Sequence, residues 1–112
     1  MSVAKKTIIK RSSEIRAILQ TGKHTKTTFF KIAYTPSLRS QSRWAILVGK
    51  RYGKAVKRNR IKRWLREILR MIVPKLKAKL DFLIMPRATS GKITYQLLQE
   101  KVILCFKKEG LL

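Results

Sequence analysis

The sequence predicts an α+β fold in which a small sheet is packed with helices, in the order α-β-β-α-β-α, with room for one more short strand in the first β region. Three observations carry that prediction. Residues 28–35 alternate with period 2, as a half-buried strand does. A helical period runs from just after Gly53 to Val73, where Pro74 restricts the residue before it. Near the C-terminus Leu98, Val102, Cys105 and Phe106 recur at intervals of three and four, the stripe of a helix lying on a sheet. At 112 residues there is room for one core, so residues 1–112 are expected to form a single domain.

Each element has a local cause. The first helix spans 10–19, with Ser12 as N-cap, Glu14 in the first turn and Ile15, Ile18 and Leu19 on one stripe, and Gly22 stops it. In the strand that follows, Phe30, Ile32 and Tyr34 alternate with Phe29, Lys31 and Ala33 until Pro36. Residues 38–43 are polar and basic, a loop. The apolar run 44–48 is expected to form a second strand, paired antiparallel with the first. Gly49 to Gly53 makes a turn into the long helix. Phe82 to Met85 is a short buried strand, and Thr94 caps the last helix after a turn over 86–92.

Composition narrows the chemistry. Twenty-eight Lys and Arg against 5 Asp and Glu give a formal charge of +23, while a hydrophobic fraction of 45% is enough for a folded core. So one-sided a field repels itself, which points to a polyanionic partner. The single cysteine, Cys105, rules out an internal disulfide and a thiolate zinc cluster. No run reaches the ~20 apolar residues of a membrane span, and no signal-peptide stretch opens the chain, so a cytoplasmic protein with no membrane partner is expected. The five acids are scattered and His24 is alone, so no catalytic pair stands out on the protein itself.

The cationic signal is concentrated in the long helix. Between Lys50 and Arg66, nine of seventeen residues are basic and none is acidic. At about 100° per residue, Ile61, Leu65, Ile68, Leu69 and Ile72 share the buried sector, with Trp64 beside it. Asn59, Lys62, Arg63, Arg66 and Arg70 fall on the opposite side as a cationic ridge. Lys57 and Arg58 project toward the apolar sector, so they stay solvated only if the first turn overhangs the core. Like charges at spacings of three and four repel, and arginine forks suit phosphate, so this face is read as a nucleic-acid surface. A bZIP reading fails because Pro74 ends the helix with no heptads after it. Gly49 to Lys54 lacks the spacing and the Ser or Thr of a Walker loop, so it is read as a turn carrying Lys50, Arg51 and Lys54 beside the ridge.

The run from Gly53 through Lys54, Ala55, Val56, Lys57, Arg58, Asn59, Arg60, Ile61, Lys62, Arg63, Trp64, Leu65 and Arg66 to Glu67 closely resembles the signature of the bacterial ribonuclease P protein subunit. The resemblance covers most of the chain in order and spacing. It implies a subunit that binds a catalytic RNA and the 5′ leader of precursor tRNA, so that the holoenzyme removes the leader, with Mg2+ and the chemistry on the RNA and no protein partner required. It also implies a left-handed strand-helix-strand crossover through residues 44–85, against the right-handed rule for parallel strands. Carried over by position, Lys54, Lys57, Arg58, Asn59, Arg60, Lys62, Arg63 and Arg66 would face the catalytic RNA. Ile15, Leu19, Phe30, Lys31, Tyr34, Lys50 and Arg51 would bind the leader. The sequence departs from the family pattern where aromatic residues often stand: it has Ile15 and Leu19 on the first helix and Ala33 on the strand. Composition alone equally permits a structural protein bound to ribosomal RNA.

Overall fold

The structure is a computed structural model and describes residues 8–89 and 91–112. The elements are α1 (Ser12–Thr21), β1 (Lys23–Lys26), β2 (Phe30–Pro36), β3 (Arg43–Ile46), α2 (Ala55–Ile72), β4 (Leu80–Pro86) and α3 (Tyr95–Lys108). Short 3-10 turns at Lys50–Tyr52 and Val73–Lys75 flank α2. The helix ends where Pro74 lacks an N–H and the chain tightens instead of continuing.

The sheet order is β1-β2-β4-β3. The antiparallel hairpin expected between β2 and β3 does not form. Instead β4 lies between them, antiparallel to β2 and parallel to β3. The reason lies in β4 itself: Phe82, Leu83 and Ile84 are all buried, so the strand needs cover on both faces and takes a central place. The loop from β2 to β3 is held in place by Ser42, whose buried hydroxyl accepts the Leu80 N–H at 2.9 Å. β1, not singled out in the sequence, is a polar edge strand of Lys, His, Thr and Lys, with no apolar alternation to mark it.

Side chains of Phe30, Ile32, Tyr34, Trp44, Phe82 and Ile84 face α2 and α3, where Ile61, Leu65, Ile68, Leu69, Leu98, Val102 and Phe106 complete the main core. Phe82 meets Phe106 edge to face at 5.4 Å. The four residues expected on the buried stripe of the last helix are the four buried there, and Thr94 caps it by accepting the Leu97 N–H at 3.1 Å. The opposite sheet face is covered by α1: Ile9, Ile18, Ala33, Ala45 and Leu83 form a second cluster. The N-cap of α1 is Arg11 rather than Ser12, with no side-chain cap bond.

β3, α2 and β4 form a crossover between parallel neighbours. The Leu47 N–H bonds to the Ile84 carbonyl, and the Leu47 side chain lies on the α1 face. For L-residues this facing puts β4 to the left of β3 when both point up and α2 is in front. The crossover is therefore left-handed, an exception to the usual hand.

Candidate nucleic-acid interface

The overhanging first turns of α2 explain the exposure of its cations. The turn starts at Gly53, whose φ of +151° suits glycine. Lys54, Lys57, Asn59, Arg60, Arg63, Arg66 and Arg70 are exposed, and Arg58 and Lys62 are half-buried. Ile61 is the first buried residue of the helix. Asn59, Lys62, Arg63, Arg66 and Arg70 share the outer side. Among the described residues the ion pairs use only Lys23 and Arg43 as cations, so these ridge charges have no carboxylate partner. Their field is left for a ligand.

The Arg58-Asn59-Arg60 triplet does not act as one surface. By helical angle Asn59 sits on the crest, Arg58 turns to one flank and Arg60 to the other. The Nε of Arg58 is shielded from solvent and has no hydrogen-bond partner among the described residues. Arg60 lies over the Trp64 ring, 5.5 Å from its centroid, and Trp64 meets Tyr95 edge to face at 6.1 Å.

The second candidate surface is on the α1 face. Ile15 and Leu19 lie on one side of α1, roughly 60° and 100° around from the buried Ile18. Ile15 is half-buried and Leu19 is 37% exposed. Across the sheet Lys31 pairs with Met85, and Leu47 follows Ile46 beside it, so these three form a transverse row at the end of the sheet that α1 leaves open. Lys31 is exposed, and Met85 and Leu47 are half-buried. Lys50 and Arg51 are exposed in the turn just beyond.

Two expected leader residues are removed from this surface. Phe30 is 0% exposed and Tyr34 8%, and both belong to the main core on the other face. They cannot stack a leader base. The Tyr34 hydroxyl donates to Glu109 at 2.6 Å, and burial together with that carboxylate pushes the phenol up to about 12. In turn the Tyr34 hydrogen bond, with Lys23 nearby, holds Glu109 below the usual carboxylate range. Leu47 and Met85 were missed because their place beside Lys31 depends on strand order, which local alternation does not reveal.

Arg43, read as part of a polar loop, opens β3 instead and is buried. Its guanidinium bonds Asp81 at 3.0 Å and also bonds Glu14, tying α1 to the sheet. The hydrogen bond from Arg43 holds the Glu14 carboxyl below its usual range, and the two carboxylates keep Arg43 protonated.

Known proteins share both the sequence pattern and the fold. The family model described as Ribonuclease P matches residues 3–110. The ribonuclease P protein component of Syntrophomonas wolfei is 36% identical over 96% of this chain and 90% of its own length. That of Bacillus cereus is 33% identical over 96% of this chain and 94% of its own. Among solved structures, the RNase P protein of Thermotoga maritima superposes with a TM-score of 0.76 at 26% identity, covering 85% of this chain and 90% of that one. A Staphylococcus aureus RNase P protein mutant shares the fold with a TM-score of 0.89 at 23% identity, covering 96% and 92%. The chain belongs to the ribonuclease P protein family, the protein component of the endoribonuclease that processes the 5′ end of tRNA.

Proposed function

We propose that the outer face of α2 docks on the catalytic RNA while the face beside α1 holds the 5′ leader of precursor tRNA. One observation supports the first half above all: Asn59, Lys62, Arg63 and Arg66 share one outward flank of a single sign, with no carboxylate paired to them among the described residues. Lys54 and Lys57 add charge at the helix start, and Arg58 and Arg60 carry it to the two flanks of the crest. For the leader, the face carrying Ile15, Leu19, Lys31, Leu47 and Met85 offers apolar cover and a cation, with Lys50 and Arg51 in the turn beyond. It lacks exposed aromatic rings, so it would hold the leader mainly through phosphate contacts and apolar cover rather than stacking.

Magnesium belongs on the RNA in this scheme. Glu14, Asp81 and Glu109 are engaged by Arg43, Tyr34 and Lys23, and no group of three His, Cys, Asp or Glu suited to a metal occurs among the described residues. Held by the RNA, magnesium would supply the hydrolytic chemistry there. The protein positions two RNAs and lowers their mutual repulsion, so its contribution is largest at low salt and low magnesium. No described helix is long and apolar enough to cross a membrane, and work on these RNA partners would be done in the cytoplasm.

Reconstitution with the catalytic RNA at low magnesium tests this reading. Restored cleavage of precursor tRNA, with a preference for precursor over mature tRNA, is the expected result. Cleavage no faster with the chain than with the RNA alone, or no preference for precursor over mature tRNA, would overturn it.

A further inference from the structure

A second recess lies on the flank of α2 away from the ridge crest, where the first turns of the helix meet the segment leading into α3. Its volume is about 420 Å³, within the range of small-ligand sites. Tyr52, Lys57, Arg60, Trp64 and Lys92 line it, with Thr94 at the far wall. Three cations and no acid among the lining residues select an anion. Two aromatic rings and a guanidinium over an indole select a flat, conjugated group, because those are the side chains on which splayed bases stack. Trp64 meets Tyr95 edge to face and both pack against the core, so the indole is held in place and little order has to be acquired on binding.

The geometry points to a nucleotide site: the recess takes one unpaired, extruded nucleotide, its base against Trp64 and Arg60 and its phosphate between Lys57 and Lys92. The inference rests on the reading of α2 as an RNA surface, and it gives Arg60 a task separate from the crest. The nucleotide could come from the catalytic RNA or from the leader, and the chemistry of recognition is the same for both.

The test uses the full chain, with adenosine 5′-monophosphate and inorganic phosphate as probes and Trp64 fluorescence as the readout. Trp44, 3% exposed, contributes a constant background. The nucleotide should quench Trp64 and bind about 5- to 150-fold tighter than phosphate, the range of one base–aromatic stack. Lys92→Ala, in an exposed segment, should weaken the nucleotide about tenfold without altering the circular dichroism spectrum. Equal binding of both probes, or an unchanged Lys92→Ala titration, overturns the site.

Lys92→Ala and Trp64→Ala are then compared in the holoenzyme with the ridge variant Lys62→Ala/Arg63→Ala/Arg66→Ala. A loss of affinity for the catalytic RNA assigns the nucleotide to that RNA, and a loss confined to precursor-over-mature preference assigns it to the leader. If the ridge variant loses assembly while the recess variants lose nothing, the recess inference alone fails. If the ridge variant also keeps full assembly, the reading of α2 fails with it.

Discussion

Arg43→Ala removes a buried cation that joins α1, β3 and β4. Its side chain is 10% exposed and that of Asp81 13%, so truncation leaves a nearly buried carboxylate beside a second one, Glu14. Breaking such a pair costs about 3–5 kcal/mol, and residual solvent access puts this case at the low end, near 3 kcal/mol. For a domain of this size that lowers Tm by about 12 °C. The sign of the pH dependence follows from Glu14, whose folded-state pKa is depressed by the Arg43 hydrogen bond. Its contribution is full above the unfolded value, about 4.3, and disappears as pH falls through the folded value. Urea unfolding of both proteins at pH 7 and in steps below pH 4 should therefore show a gap that narrows with acid. Arg43→Met with Asp81→Leu, which removes both charges, should recover most of the loss. A loss under about 1 kcal/mol at pH 7, or a gap indifferent to pH, would refute the view that this cluster anchors α1.

Other substitutions probe other joints. Gly22→Ala would bring a Cβ to 2.5 Å from the Ile18 carbonyl oxygen and 2.8 Å from that of Tyr34, both backbone atoms that cannot swing aside. It should destabilise by more than about 1 kcal/mol in thermal melts, despite the higher helix propensity of alanine. Tyr34→Phe removes the 2.6 Å donor to Glu109 and leaves it the looser Lys23 contact at 3.7 Å and Thr25 nearby, so about 1 kcal/mol should be lost in urea titrations. The same variant should leave the salt dependence of RNA binding unchanged, because the ring lies in the core. Phe106→Ala empties a site that is 1% exposed and packed on Phe82, and should cost about 3–5 kcal/mol in the same titrations.

Much of the fold can be read locally. The stripe Leu98, Val102, Cys105, Phe106 and the stripe Ile61, Leu65, Ile68, Leu69, Ile72 are buried as their spacing requires, since a helix face is set within a few turns. Strand neighbours are not local. The parity of Phe30 and Ala33 tells that they face opposite sides, but which side is the core depends on where β4 enters, some fifty residues later. Placing Phe30 and Tyr34 at the leader rests on matching positions in the family pattern, which does not fix the face they take, and Leu47 and Met85 come beside Lys31 only through the strand order.

The same division holds for the candidate site. The cationic crest of Lys62, Arg63, Arg66 and Arg70 is a property of one helix and follows from their spacing. The flank carrying Arg60 and Trp64 is equally local, but its recess needs Tyr52 and Lys92 from separate segments. Arg43 was invisible as a core residue because a buried arginine is only tolerable with partners, and both partners are distant in sequence. Glu14 and Asp81 looked like scattered acids until the fold brought them to one cation.

The most direct test of the central claim is the salt dependence of assembly with the catalytic RNA, compared between the natural chain and Lys62→Ala/Arg63→Ala/Arg66→Ala. Each phosphate contact contributes a slope of about 0.7–0.9 in log K against log salt, so losing three should flatten the slope by about 2–3 while leaving Tm within about 2 °C. An unchanged slope with intact folding would contradict the docking of this face on RNA.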